Sequence, residues 1–131
     1  VEDYTKDRFI AGKPVRERSL FAAKIGKMAM QIRAARAYYM YIASMFDHPE
    51  LYGKTSSTPQ VGRAGSSKVF STSTAIEIML GCMELMGSYG YCADYDVEKY
   101  LRDVIIIHLW MGGAQLTTLE SAQAEYPFEP W

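Results

Sequence analysis

The sequence predicts an all-α fold, an antiparallel four-helix bundle that forms a single helical domain over residues 1–131. Apolar residues recur at helical spacing through most of the chain, whereas alternating strand patterns are few. Breaks that contain glycine or proline divide this pattern into one short and three long segments. A chain of this length can bury a core without disulfides or metals.

The longest helical pattern runs from Pro14 to Phe46 and ends before His48-Pro49, because proline disfavours the α conformation in the preceding residue. A shorter helix, Glu2 to Ile10, precedes it across a break at Gly12-Lys13-Pro14. The apolar stripe of the short helix (Tyr4, Phe9, Ile10) begins without a cap. We therefore expect that this helix is truncated and that the natural start of the chain lies upstream or has been removed.

The segment Gly53 to Ser67 is rich in Gly, Ser, Thr and Pro, and this composition predicts a mobile connection. Gly53-Lys54-Thr55 lacks the earlier glycine of a phosphate-binding loop, so we exclude that motif. A third helix is predicted from Lys68 to Met86. Gly87-Ser88-Tyr89-Gly90 ends it, since two glycines fall within four residues.

A fourth helix is predicted from Val97 to Ala124, capped by Asp94 or Asp96 and supported by a Glu98–Arg102 pair at i,i+4. Its middle is apolar nearly all round, which is also compatible with a buried strand. The length of the segment favours a central helix surrounded by others. Pro127 and Pro130 exclude helix from the tail.

This helix phasing predicts a set of apolar residues that are buried together: Phe21, Ile25, Met28, Ile32, Ile76, Met79, Met83, Leu101 and Val104.

Composition excludes several classes of function. The net charge is -1, the pI is about 6.1, and the basic residues are scattered, so we expect no nucleic acid partner. No apolar run approaches the roughly 18 residues of a membrane span, and no signal peptide is visible, so we expect no membrane contact and a cytoplasmic location. Cys82 and Cys92 are too few for a disulfide framework or a zinc site, and we expect buried, reduced thiols and no metal.

Four motifs, in order and at family spacing, resemble the acyl-CoA dehydrogenase family and cover almost the whole chain. Tyr4-x-x-x-Arg8-x-x-x-Gly12-Lys13-Pro14 resembles Y-x-x-x-R-x-x-F-G-K-P, and Lys24-Ile25-Gly26-Lys27-Met28 resembles K-L-A-x-M. Met86-Gly87-Ser88-Tyr89-Gly90-Tyr91 is similar to the G-G-x-G-Y turn. The strongest match is the segment from Tyr95 to Asp103, YDVEKYLRD, which is close to Y-P-V-E-K-x-x-R-D.

The resemblance implies that this chain is the C-terminal helical domain of a larger flavoprotein. Complete members add an N-terminal helical domain and a middle β domain, and they hold FAD between the middle and C-terminal domains. They remove hydrogen from Cα and Cβ of an acyl-CoA, with a carboxylate as base. Dimers or tetramers are usual, and an electron-transfer flavoprotein is a candidate acceptor. Because FAD affinity is shared between domains and subunits, we expect none on the isolated 131-residue chain.

The resemblance also implies four cofactor-binding residues. Arg8 corresponds to an arginine that reaches the FAD pyrophosphate of the neighbouring subunit, a role that suits the bidentate guanidinium. Glu84 lies where many members have a glutamine that contacts FAD, Gly87 begins the turn that approaches the dinucleotide, and Gln115 matches a glutamine beside the partner's FAD. A surface role for Arg8 and a solvated helix face for Glu84 are the alternatives, since a carboxylate repels pyrophosphate.

The sequence offers no catalytic residue. Met111 occupies the place of the family's catalytic glutamate, and a thioether cannot act as a general base. Some branches of the family place their base on a helix upstream of Val1, which keeps activity open for the full-length protein. His108 lies on the core side of the fourth helix without a catalytic or metal partner, so we expect a hydrogen-bonded structural histidine. Two other functions stay open: a degenerate dimerisation module that has lost FAD, and a flavoprotein of this fold with a different reaction.

Overall fold

The structure, a computed structural model, describes residues 1–126, 128 and 129. The all-α prediction is confirmed. The helices are α1 (Glu2–Asp7), α2 (Ser19–Phe46), α3 (Pro49–Tyr52), α4 (Thr58–Met86), α5 (Val97–Leu109) and α6 (Gly113–Glu125). Two short strands, β1 (Phe9–Ile10) and β2 (Lys13–Pro14), and three 3₁₀ segments (Val15–Glu17, Gly87–Tyr91 and Ala93–Tyr95) complete the described elements. Pro127 and Pro130, which we predicted to exclude helix, lie outside the described residues.

The chain divides into two compact units. The first comprises Val1–Arg33 and Thr74–Val104, and the second comprises Ala34–Ser73 together with the described residues from 105 onward. Helices α2 and α4 pass through both. In the first unit they run antiparallel, because Lys24 pairs with Glu84 while Lys27, one turn later on α2, pairs with the earlier Glu77 on α4.

The prediction of helix through Ile10 is wrong, because the chain turns back as a hairpin. Helix α1 ends at Asp7, and Phe9 pairs with Pro14 in an antiparallel ladder. The two turn residues, Ala11 and Gly12, both have positive φ (46° and 79°), which is the pattern of a type I′ hairpin turn. Phe9 is exposed, so the predicted apolar stripe of the short helix does not exist.

The core of the first unit lies between α2, α4 and the start of α5. Its buried members are Met28, Ile78, Cys82, Leu85, Met86 and Val97, and Tyr4, Phe21, Ile25, Met79 and Met83 pack around them. Of the nine predicted core residues, Met28 is buried and Ile32 is exposed at 45%. The other seven are half-buried. The phase of α4 differs from the prediction, since its buried face carries Ile78 and Leu85 rather than Ile76 and Met83.

Helix α4 begins at Thr58, ten residues before the predicted start at Lys68. In the second unit the small residues of this stretch pack against α6. A Cβ on Gly62 would meet the Cβ of Ala124 and lie 2.8 Å from the carbonyl oxygen of Glu120. The predicted mobile connection is thus wrong for most of its length, because its glycines permit close helix contact.

Gln60 anchors the same stretch of α4 to α2 within the second unit. Its side chain is fully buried, and Nε2 donates a hydrogen bond to the carbonyl oxygen of Met45 at 3.2 Å. Oε1 accepts a hydrogen bond from Arg63 at 3.1 Å. Burial of an amide requires such partners.

The predicted fourth helix is two helices. Helix α5 ends at Leu109 and α6 begins at Gly113, because Met111 and Gly112 adopt positive φ (54° and 85°). The predicted Glu98–Arg102 pair is confirmed at 2.8 Å, and its hydrogen bond holds the pKa of Glu98 below the ordinary value. The apolar stretch Ile105–Ile107 is exposed in this chain, so the expectation of a surrounded central helix is wrong for its second half.

By length and composition alone, the segment Thr58–Tyr91 could cross a membrane. Core helices of soluble proteins meet the same test. Within this chain 28% of the apolar window is buried, and Gln60 and Thr72 of the segment are among the buried residues.

Candidate functional site

The turn after α4 needs two glycines for different reasons. Gly87 has φ +60°, and a Cβ there would meet nothing within 4 Å. The backbone at Gly87 is therefore open to solvent and adopts a conformation that favours glycine. Gly90 is buried, and a Cβ there would lie 2.8 Å from the Cα of Met83. The second glycine packs the turn onto the last turn of α4.

Three tyrosines from different segments form an aromatic cluster around this turn. The ring centroid of Tyr4 lies 5.9 Å from that of Tyr89 and 6.3 Å from that of Tyr95. The ring centroids of Tyr89 and Tyr95 are 5.4 Å apart. The Tyr4 hydroxyl donates a hydrogen bond to the carbonyl oxygen of Met86 at 3.1 Å, at the end of α4. Sequence reasoning missed the cluster, since only tertiary contact brings these residues together.

Arg8 borders a groove beside the same turn. The groove has a volume of about 540 Å³ and is lined by Val1, Asp3, Tyr4, Asp7, Arg8, Met86, Tyr89, Tyr95 and Val97. Arg8 follows α1 with an extended backbone, and its amide donates to the Tyr4 carbonyl at 2.9 Å. Among the described residues, its guanidinium makes no hydrogen bond or ion pair, so its donors are available to a ligand.

Glu84 lies in the last turn of α4, three residues before Gly87, and pairs with Lys24 of α2. The side chain of Glu84 is 66% exposed and that of Lys24 is 33% exposed. Lys27 and Glu77 form a second pair between these helices at 2.6 Å, and the hydrogen bond from Lys27 lowers the pKa of Glu77. The face of α4 that carries Glu84, which we predicted to be solvated, is exposed, and its two carboxylates form ion pairs with lysines of α2.

The structure brings Arg8 and the Gly87 turn together in the first unit, with Glu84 on the helical turn that leads into it. Gln115 belongs to the second unit. It is exposed in the first turn of α6, directly after the left-handed turn at Met111.

Met111 projects from that turn with 75% of its surface exposed, next to Trp110 at 67%. Lys68 fixes the turn by donating a hydrogen bond to the carbonyl oxygen of Trp110. A thioether can neither accept nor deliver a proton at neutral pH. The position that resembles the family's base therefore carries an exposed apolar side chain.

His108 is half-buried and hydrogen-bonded, as predicted. Its Nδ1 lies 2.9 Å from the hydroxyl oxygen of Thr72. That hydroxyl is also 2.8 Å from the carbonyl oxygen of Lys68, to which it donates. The imidazole then donates from Nδ1 to the threonine oxygen, which is a structural link between α4 and α5 in the second unit.

The two cysteines are both free, and they differ in exposure. Cys82 is buried, and burial raises the pKa of its thiol. Cys92 is exposed, so the prediction of a buried thiol is wrong there. Within the described part of the chain, no group of three or more His, Cys, Asp or Glu side chains is placed to hold a metal ion.

Comparison with known proteins gives consistent matches. The family model described as "Acyl-CoA dehydrogenase, C-terminal domain" matches residues 1–124. An acyl-CoA dehydrogenase of Bacillus subtilis is 28% identical over 117 residues, which are 89% of this chain and 29% of that protein. A cyclohex-1-ene-1-carbonyl-CoA dehydrogenase of Syntrophus aciditrophicus is 26% identical over 121 residues, 92% of this chain and 28% of that protein.

A solved structure described as an electron transferring flavoprotein of Acidaminococcus fermentans superimposes with a TM-score of 0.83. It is 26% identical, and the match covers 97% of this chain and 31% of that chain. The chain spans about 29% of the length of the first curated relatives that it matches.

Proposed function

Since this chain belongs to the acyl-CoA dehydrogenase family, we propose that it is the C-terminal, FAD-site-forming domain of a flavoprotein that oxidises the CH–CH group of an acyl-CoA thioester. The observation that carries the proposal is the arrangement of Arg8 beside the Gly87 turn in one groove. Two features that resemble the family's flavin contacts, 79 residues apart in sequence, lie on the same surface.

The residues present fit a dinucleotide in part. Arg8 offers charge-assisted donors to a pyrophosphate, and the open backbone at Gly87 permits close approach. The carboxylates of Asp3 and Asp7, which line the same groove as Arg8, disfavour an anion. Glu84 adds a third carboxylate near the turn, and its pairing with Lys24 offsets that charge. Gln115 lies in the second unit, and we propose its amide only for the FAD of a partner subunit, as the resemblance implies. FAD, when bound, would supply the hydride acceptor.

Proton abstraction is not assigned to any described residue. Met111 cannot be the base, and we propose that the full-length protein carries its base outside this chain. Met111 also favours a second candidate, in which the fold keeps flavin binding or dimerisation but performs another reaction or none. An electron-transfer flavoprotein is the proposed electron acceptor, the proposed substrate is an acyl-CoA, and the proposed location is the cytoplasm.

Purified full-length protein tests the proposal. We expect a yellow preparation with about one FAD per chain, whose absorbance bleaches when an acyl-CoA is added anaerobically. The isolated 131-residue chain is expected to bind no FAD. A full-length preparation that holds flavin but is not reduced by acyl-CoA esters of several chain lengths would favour the second candidate. Failure to bind flavin would remove the first.

A further inference from the structure

The three tyrosines of the aromatic cluster line the same groove as Arg8. The ring centroids lie within 6.3 Å of one another, and the Tyr4 hydroxyl joins the cluster to the carbonyl oxygen of Met86 at the end of α4. Tyr89 and Tyr95 nevertheless remain 42% and 43% exposed. Mutual packing holds these rings in place while part of each stays open, so a planar ligand can stack on them at little entropic cost.

The charged side chains of this groove discriminate between anionic ligands. Arg8 supplies one guanidinium, whereas Asp3 and Asp7 supply two carboxylates. A free phosphate ion attracts the guanidinium but is repelled by both carboxylates. A nucleoside diphosphate differs, because its ribose hydroxyls and its base amino group are donors from which a carboxylate can accept hydrogen bonds. The groove therefore favours an anion that also carries hydrogen-bond donors and an aromatic ring.

We propose that this groove binds the adenosine diphosphate half of FAD, with the adenine ring against Tyr89 and Tyr95 and the pyrophosphate at Arg8. Asp3 and Asp7 accept hydrogen bonds from donors of the adenosine. This inference rests on the proposed function and deepens it, because it assigns one half of the dinucleotide to named side chains. Stacking of a base requires only an aromatic face, which a tyrosine ring supplies.

Coenzyme A is a second source of the same chemical group, since an acyl-CoA also contains adenosine diphosphate. Its ribose bears an additional 3′-phosphate, which brings further negative charge to the part of the ligand that Asp3 and Asp7 meet. Like charges placed side by side are unfavourable. The two carboxylates therefore favour the nucleotide of FAD over that of coenzyme A.

The test measures ligand affinities of the full-length protein after its flavin has been removed. We expect Tyr89→Leu to weaken FAD binding by about tenfold, the scale of one lost base–aromatic stack. Tyr95→Leu should have the same effect, and it tests the proposal independently if Tyr89→Leu fails to fold. FMN contains no adenine, so wild type should bind FMN at least about tenfold more weakly than FAD.

Tyr91 provides a matched control in the same turn. It is 78% exposed and is not among the described residues that line the groove. Tyr91→Leu should therefore bind FAD as tightly as wild type. Tyr89→Phe keeps the aromatic ring and should also retain FAD affinity. Thermal melting of the flavin-free proteins checks that the leucine variants are folded.

Four results would overturn the inference. If both Tyr89→Leu and Tyr95→Leu bind FAD as tightly as wild type while Arg8→Met binds it more weakly, the adenine lies elsewhere and the proposed function survives. If wild type binds FMN as tightly as FAD, the adenine contributes no contact. If Tyr89→Leu lowers the affinity for coenzyme A alone, the groove holds the nucleotide of the substrate. A full-length protein that binds no flavin removes the proposed function together with the inference.

Discussion

At the scale of single residues, glycines in this chain have distinct roles that depend on the atoms around them. Gly90 is buried against the backbone of Met83, where a Cβ would lie 2.8 Å from Cα and 2.9 Å from the carbonyl oxygen. Gly26 lies within α2 with nothing within 4 Å of a Cβ and without a positive φ. The same substitution should therefore have opposite effects at the two positions.

We predict that Gly90→Ala destabilises the chain by about 1–3 kcal/mol, because the backbone of α4 or of the turn must shift to admit a methyl group. Gly26→Ala should stabilise it by about 0.5–1 kcal/mol, because alanine loses less entropy in a helix. Urea unfolding followed by circular dichroism measures both. Equal effects of the two substitutions would show that Gly90 is not closely packed.

The Lys27–Glu77 pair should make the free energy of unfolding depend on pH in the acidic range. The pKa of Glu77 is lowered by the Lys27 hydrogen bond, below its unfolded value of about 4.5. A carboxyl with a lowered folded-state pKa stabilises the protein above the unfolded pKa, and this contribution is lost as the pH falls through the folded pKa. Glu77→Gln should therefore lower the free energy of unfolding near neutral pH. The free energy of unfolding of this variant should also fall less than that of wild type as the pH drops below about 4.5.

Chemical unfolding between pH 3 and pH 7 measures the effect, with Glu125→Gln as a control at an exposed carboxylate. Salt should diminish the difference between wild type and Glu77→Gln, since both partners are exposed. A pH profile of Glu77→Gln that parallels wild type would show that the pair contributes no stability.

At the scale of elements, the start of α4 depends on its contact with α6. Gly62 accepts a hydrogen bond from Ser121 at 3.2 Å, and Gly65 faces Thr117, where a Cβ would lie 2.8 Å from Cγ2. We predict that Gly62→Ala costs about 1–3 kcal/mol through overpacking. Ala64→Ser, at an exposed position of the same helix, should change stability by less than about 0.5 kcal/mol.

Hydrogen exchange gives a direct readout of this element. Amides from 62 to 67 should be protected in the wild type, as helical amides with i−4 partners are, and less protected in Gly62→Ala. Fast exchange of these amides in the wild type would support the mobile connection that composition suggests and contradict the helix.

These elements show which parts of the fold were predictable. Periodicity was sufficient for the body of α2 and for its end at Phe46, which is confirmed. The predicted start at Pro14 is wrong, because Pro14 pairs in β2 and Val15–Glu17 form a 3₁₀ turn before α2 begins at Ser19. Composition was misleading for the start of α4, because glycine and serine are common both in flexible segments and where two helices pack closely. The break at Met111 was missed because a left-handed methionine has no sequence signature apart from the following glycines.

The site was predictable only through motif order. Resemblance selected Arg8 and Gly87, and Arg8 lines a groove together with Met86 and Tyr89, which flank Gly87 in the chain. The tyrosine cluster and the Lys24–Glu84 pair depend on contacts between residues up to 91 positions apart, which no local pattern encodes.

At the scale of the whole molecule, the chain exposes much apolar surface. Met40 and Tyr41 are exposed on α2, and Trp110 and Met111 are exposed after α5. Ile106 and Leu109 extend the second patch, at 63% and 59% exposure. Contiguous apolar surface of this kind promotes association, and closed two-fold pairing is its commonest form.

We predict that the chain forms at least a homodimer, with an interface above about 1,000 Å². Light scattering across a wide concentration range measures the mass. Ile106→Lys should shift the equilibrium toward monomer, whereas Ser73→Lys, at an exposed polar position, should not. A monomer mass at every concentration of the wild type would contradict the prediction.

We propose that this domain forms part of a flavin site through Arg8 and the Gly87 turn. The FAD content of full-length Arg8→Met protein tests this proposal. Arg16→Met is the control, because Arg16 is an exposed arginine eight residues later in the sequence that lines a different groove. We expect Arg8→Met to lose most of its FAD on gel filtration, whereas Arg16→Met retains about one FAD per chain. Full retention of FAD by Arg8→Met would contradict it.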